Sequence, residues 1–94
     1  MHVQQTEEKY SNLVIRIVPQ PKNGDHTKVF FRILSENISS FVYWLQISDN
    51  QSQNRSLDET YNYLINEGLK DIKSIIDKQE YIKGDNFQNT LGAD

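Results

Sequence analysis

The amino-acid sequence predicts an α+β fold, a three-stranded antiparallel meander followed by one long amphipathic helix packed on one face of the sheet. Three observations carry this prediction. Two strictly alternating runs, "NLVIRIVP" and "TKVFFRIL", are separated by a turn-rich segment. A third apolar run, "FVYWLQIS", follows within a few residues. Beyond it, apolar residues recur at helical spacing from Leu57 to Ile76. At 94 residues the chain has room for one two-layer core and no second domain.

In the first strand, Leu13, Ile15 and Ile17 fall on one side, and Val14, Arg16 and Val18 on the other. β-Branched side chains at both sets of positions favour the pleat. The connection "QPKNGDH" supplies Pro21 and the Asn23-Gly24 pair, which tolerates the positive φ of a tight reversal. The second strand then places Val29, Phe31 and Ile33 opposite Phe30, Arg32 and Leu34. Together the two runs read as an antiparallel hairpin.

Two periods can be laid on residues 36–48. As a strand, Phe41, Tyr43, Leu45 and Ile47 share a face with a composition suited to a half-buried pleated surface. As a helix, Ile38, Phe41, Val42 and Leu45 form a stripe, with Ser35 or Asn37 able to cap it. The helix leaves Tyr43, Trp44 and Ile47 off its stripe and puts Asp49 at the negative end of its dipole, so the strand is the reading adopted.

The helical signal is the strongest in the chain. Ser56 and Glu59 have the spacing of a capping box, and Asp58 and Glu59 complement the positive helix end. Leu57, Tyr61, Leu64, Ile65, Leu69, Ile72, Ile75 and Ile76 repeat with the helical period. Gly68 lies on this stripe, four residues from Leu64 and four from Ile72, which points to a close approach of helix backbone and sheet rather than a stop. A repeat continued through Ile82 to a cap at Gly84 gives about 26 residues and roughly 40 Å, against about 27 Å for an eight-residue strand. The turns around Ile75, Ile76 and Ile82 would then overhang the sheet unless the helix ends sooner, the tail folds back or a second chain covers them. Residues 1–10 read as a flexible leader, 11–83 as the domain and 84–94 as a flexible tail, with Phe87 and Leu91 as isolated apolar residues.

Composition excludes more than it assigns. Ten Lys plus Arg against thirteen Asp plus Glu gives a net charge of −3, with no cationic run of the kind that draws a protein to phosphate backbones. With no cysteine there are no disulfides, thiolate nucleophiles or cysteine-based zinc sites. No secretory signal or apolar span is visible, so the expected location is cytoplasmic and no membrane contact is expected. That expectation also weakens the N-x-S triplets at Asn37, Asn50 and Asn54 as glycosylation sites.

His2 and His26 stand alone, without a triad or metal-site pattern. Residues 49–60 alternate oxygen-bearing side chains but lack the Gly and Glu that a calcium loop needs at its sixth and twelfth positions. Adjacent helical residues point some 100° apart, so Asp58 and Glu59 do not form an acid–base pair. No glycine-rich phosphate loop is present. No catalytic residue, metal site or cofactor is therefore expected.

One helix cannot cover both sides of a sheet. The uncovered side would carry Val14, Val18, Phe30, Leu34, Val42 and Trp44, with Arg16, Arg32 and Gln46 between them. Tryptophan, arginine and large apolar groups together are the composition of interface hot spots, and an arginine beside Trp44 could make a cation–π contact. The competing reading is a solvated face whose arginine stems shield its hydrophobes, or one partly covered by the N-terminal or C-terminal tail. The expected partner-binding set is Arg16, Phe30, Arg32, Val42, Trp44 and Gln46. The function expected from this is a small cytoplasmic protein-binding protein without catalysis, an inhibitor or immunity-type protein being one concrete form. The acidic balance suits a basic partner. Two alternatives stand beside it: a self-assembling homodimer, and a weak single-stranded nucleic-acid binder, nucleic acid being disfavoured by the overall charge.

Overall fold

The computed structural model describes residues 4–34, 41–79 and 87–88. The fold is α+β. Strands β1 (Thr6–Tyr10), β2 (Leu13–Pro19), β3 (His26–Leu34) and β4 (Phe41–Ser48) form an antiparallel sheet in sequence order. A 3₁₀ turn at Asp49–Gln51 leads to helix α1 (Leu57–Asp77), and β5 (Phe87–Gln88) pairs parallel to β4.

One expectation about the ends is corrected. Residues 6–10, read as flexible leader, are a fourth antiparallel strand, joined to β2 by a two-residue reversal in which Ser11 and Asn12 both take positive φ (52° and 67°). That is the φ pattern of a type I′ turn, whose twist matches the flanking strands. Side chains from α1 hold the strand in place. Tyr10 donates its hydroxyl to Asp77 at 2.9 Å, and Lys73 meets Glu8 at 2.7 Å with its ammonium 5.4 Å from the Tyr10 ring. In the segment read as flexible tail, Phe87 and Gln88 align with Tyr43 and Trp44 at the far edge of the sheet.

The β2–β3 hairpin forms as expected. Asn23 and His26 exchange both backbone hydrogen bonds at 3.1 Å around Gly24 and Asp25, and Gly24 has φ +61°. Residues 41–48 are a strand, paired with β3 from Ile33↔Phe41 to His26↔Ser48. Its burial alternates strictly, with Phe41, Tyr43, Leu45 and Ile47 inside. Ser35 to Ser40, including the alternative helix caps and Ile38, lie outside the described residues.

Helix α1 has 21 residues, so it spans about 32 Å, close to the ~30 Å of the nine-residue β3. Its N-terminus is the expected capping box. Ser56 Oγ accepts from the Glu59 amide, and the Glu59 carboxylate accepts from the Ser56 amide at 2.7 Å. The helix closes at Asp77, after which Gln79 takes φ +58° and returns its amide to the Ile76 carbonyl at 3.0 Å. The overhang of Ile75 and Ile76 does not occur, since both are buried. The longer repeat through Ile82 and Gly84 falls outside the described residues.

The core lies between α1 and the odd-numbered side of the sheet. Ile15, Val29, Phe31, Ile33 and Leu45 from the strands meet Leu64 and Ile72 from the helix, all at 0% exposure. The close approach expected at Gly68 is real: a Cβ placed there would stand 2.1 Å from the Phe31 ring tip. Tyrosine hydroxyls stitch the two layers together. Tyr61 donates to the Gln20 carbonyl at 2.5 Å and Tyr43 to the Asp71 carboxylate. Each satisfies a polar group that burial would otherwise penalise. Burial raises the pKa of Tyr61, while the bond to Asp77, followed by desolvation, raises that of Tyr10.

Candidate functional site: the open face of the sheet

With α1 on the odd-numbered side, no helix among the described residues lies over the even-numbered side of β2, β3 and β4. Strand alternation places all six predicted site residues there, and register orders them into crosswise rows. Phe30 pairs with Trp44 and with Val18, Arg32 pairs with Arg16 and Val42, and Gln46 pairs with Lys28. The new strand extends the face, since Glu7 aligns with Arg16 and Lys9 with Val14.

Trp44 is half-buried, and what lies on it is a lysine. Lys28 Nζ stands 4.5 Å from the Trp44 ring centroid and 5.5 Å from that of Phe30. The cation–π contact expected from an arginine is thus supplied by Lys28, one same-face step along β3 from Phe30. A solvent-exposed contact of this kind is worth about 0.5–1 kcal/mol. Arg16 is held on the same face by Glu7, which accepts from its Nε at 3.0 Å. Among the described residues Leu57, on the helix, is the one large hydrophobic that stands exposed, at 39%. The open face is accordingly no bare apolar patch, because cationic stems cross its hydrophobes.

Charge is segregated between the layers. Lys9, Arg16, Lys28 and Arg32 lie on the open face of the strands with Glu7 as the carboxylate among them. Helix α1 carries the opposite sign, with Asp58, Glu59, Glu67, Asp71 and Asp77 against Lys70 and Lys73. The net −3 of the chain conceals this arrangement, which composition cannot reveal.

At one end of the face, the β2–β3 hairpin borders an open depression of about 480 Å³ lined by Gln20, Lys22, Asn23, His26, Lys28 and Phe30 among others. Two of these side chains already have carboxylates, Lys22 with Asp49 at 2.9 Å and His26 with Asp25 at 2.8 Å. Among the described residues no three metal-ligating side chains cluster. Asp49 begins the 3₁₀ turn and Glu59 belongs to the capping box of the helix, so each of these carboxylates has a structural role. Bonds from the Ser56 backbone, and then from its side chain, lower the pKa of Glu59.

Lys28 is the site residue that the sequence reading does not reach. Its signal is present, since Lys28 shares the parity of Phe30 and Arg32, but a lysine at the turn end of an alternating run looks like any solvated strand end. Fold and site together define an α+β protein with one aromatic, cationic sheet face that α1 leaves uncovered. Comparison with family models, curated proteins and solved structures finds no match for this chain. No described helix is long and apolar enough to cross a membrane.

Proposed function

We propose that this protein is a binding module without catalysis, acting by occupying a partner through the open face of its sheet. The observation that carries the reading is the cross-strand pair Phe30 and Trp44, left uncovered by α1 and topped by Lys28. Large aromatic groups on a rigid sheet cost little conformational entropy on binding, and they anchor interfaces when flanked by charged groups that set orientation. Where the partner is a protein, a cytoplasmic inhibitor or immunity-type role is the form that small size suggests for such a module.

The cation surplus of this face changes the sign of the favoured partner. A basic partner would be drawn to the carboxylates of α1, whereas the open face complements an anionic one. The same surplus disfavours the homodimer built on this face, because an isologous contact would bring two cation-rich surfaces together. Affinity capture with the wild type and with Trp44→Ala and Arg32→Glu tests the reading. Capture lost in both variants, with their circular dichroism unchanged, supports it; capture retained in both removes the face from consideration.

A further inference from the structure

The open face is banded. Along a strand, residues on one side recur every ~6.7 Å. The register aligns Val18, Phe30 and Trp44 in one row, Arg16 and Arg32 in the next row on one side, and Lys28 in the next row on the other. An aromatic row is therefore flanked by cations one step away in both directions. We infer that the partner of this face is a single-stranded nucleic acid, with Phe30 and Trp44 receiving stacked bases and Arg16, Arg32 and Lys28 facing the phosphates. This inference rests on the open face being the binding surface.

A single strand offers two things in regular alternation, a planar π-face and a negative charge, and this face has the complement of each at adjacent positions. An acidic polypeptide would satisfy the cations but leave the aromatic row with nothing to stack. Lys28 does not obstruct the site. Its contact with Trp44 is weaker than a base–aromatic stack, so an arriving base displaces the ammonium, which needs only a rotamer change to reach a phosphate. Glu7 opposes binding, because its carboxylate holds the Arg16 guanidinium that a phosphate would claim.

The chain contains one tryptophan, so emission from Trp44 reports on this row directly. The test titrates the full chain with an oligothymidylate of about ten nucleotides, an abasic phosphodiester of equal length, and polyglutamate. Oligothymidylate is expected to quench Trp44 and to bind roughly ten- to a hundredfold more tightly than the abasic chain. Its affinity falls with salt at a log–log slope of about −0.7 per phosphate engaged. Trp44→Leu, read by anisotropy of end-labelled strands because the variant has no tryptophan, loses the advantage over the abasic chain; Lys28→Ala flattens the salt slope by about 0.7, and Glu7→Gln tightens binding severalfold. The abasic chain binding as tightly as oligothymidylate overturns the stacking and with it the assignment. Polyglutamate binding as tightly overturns the nucleic-acid inference in favour of an acidic protein and leaves the binding face standing. No response of Trp44 to any of the three overturns the nucleic-acid inference, whereas the binding face itself falls only if capture survives both face variants.

Discussion

Replacing Gly68 by alanine puts the helix–sheet packing to a quantitative trial. In an exposed helix this substitution stabilises by about 1 kcal/mol, because glycine loses more backbone entropy than alanine. Here the added Cβ would lie 2.1, 2.3 and 2.9 Å from three atoms of the Phe31 ring, where carbon atoms at contact need about 3.5–4.0 Å. The ring is at 0% exposure, set against Tyr43 at a centroid distance of 6.0 Å, and has no free direction in which to yield. Either the ring leaves its rotamer or α1 lifts from the sheet. Overpacking of this kind costs about 1–3 kcal/mol, and a three-atom overlap in a closed core belongs at the upper end. Set against the propensity gain, the net loss is about 1–2 kcal/mol, or a fall in Tm of roughly 5–15 °C. Urea denaturation followed by circular dichroism measures it. Phe31→Leu combined with Gly68→Ala should recover part of the loss, a coupling of about 0.5–3 kcal/mol in a double-mutant cycle. Stabilisation by Gly68→Ala would refute the close approach of helix and sheet.

Three further outcomes follow from the same contacts. Ser56→Ala removes the helix cap and costs about 1 kcal/mol in urea denaturation at neutral pH. Glu59 has its pKa lowered by Ser56, so the wild-type contribution is present above the ordinary value of 4.5 and fades as pH falls through the lowered one; the variant should show a smaller loss in that window. Tyr10 has its pKa raised above 10.0 by Asp77, so its bond stabilises β1 at lower pH and is lost as pH rises through the raised value; Tyr10→Phe should speed amide exchange of residues 6–10 at neutral pH. Arg32→Glu, at an exposed position of β3, should weaken partner capture while the circular dichroism of the folded domain is retained.

The elements that sequence reveals are those whose signals are local. Alternation in Leu13–Val18 and Thr27–Leu34, the Asn23-Gly24 turn and the Ser56-Glu59 box each specify their backbone within a few residues, and each is formed. Strand β4 is ambiguous in sequence because both periods fit its apolar positions, and pairing with β3 resolves it. Strand β1 escapes a sequence reading because its inward positions are Thr6, Glu8 and Tyr10; tertiary bonds to Lys73 and Asp77 replace the apolar pattern that marks a strand. A Ser-Asn reversal joining two extended runs is the available signal. The early end of α1 has no glycine at its close, since Gln79 itself adopts the left-handed turn. That the six candidate residues share one face is legible through parity alone. Their cationic companions Lys9 and Lys28 are not, because the sign of a face emerges only when strands are brought into register.

The most direct test of the account is chemical-shift mapping of the full chain titrated with oligothymidylate. The Trp44 indole N–H and the signals of Arg16, Lys28, Phe30 and Arg32 are expected to move together, while Asn62, Asn66 and Lys70 on the exposed side of α1 stay in place. Movement of the α1 signals with Trp44 unshifted would contradict it.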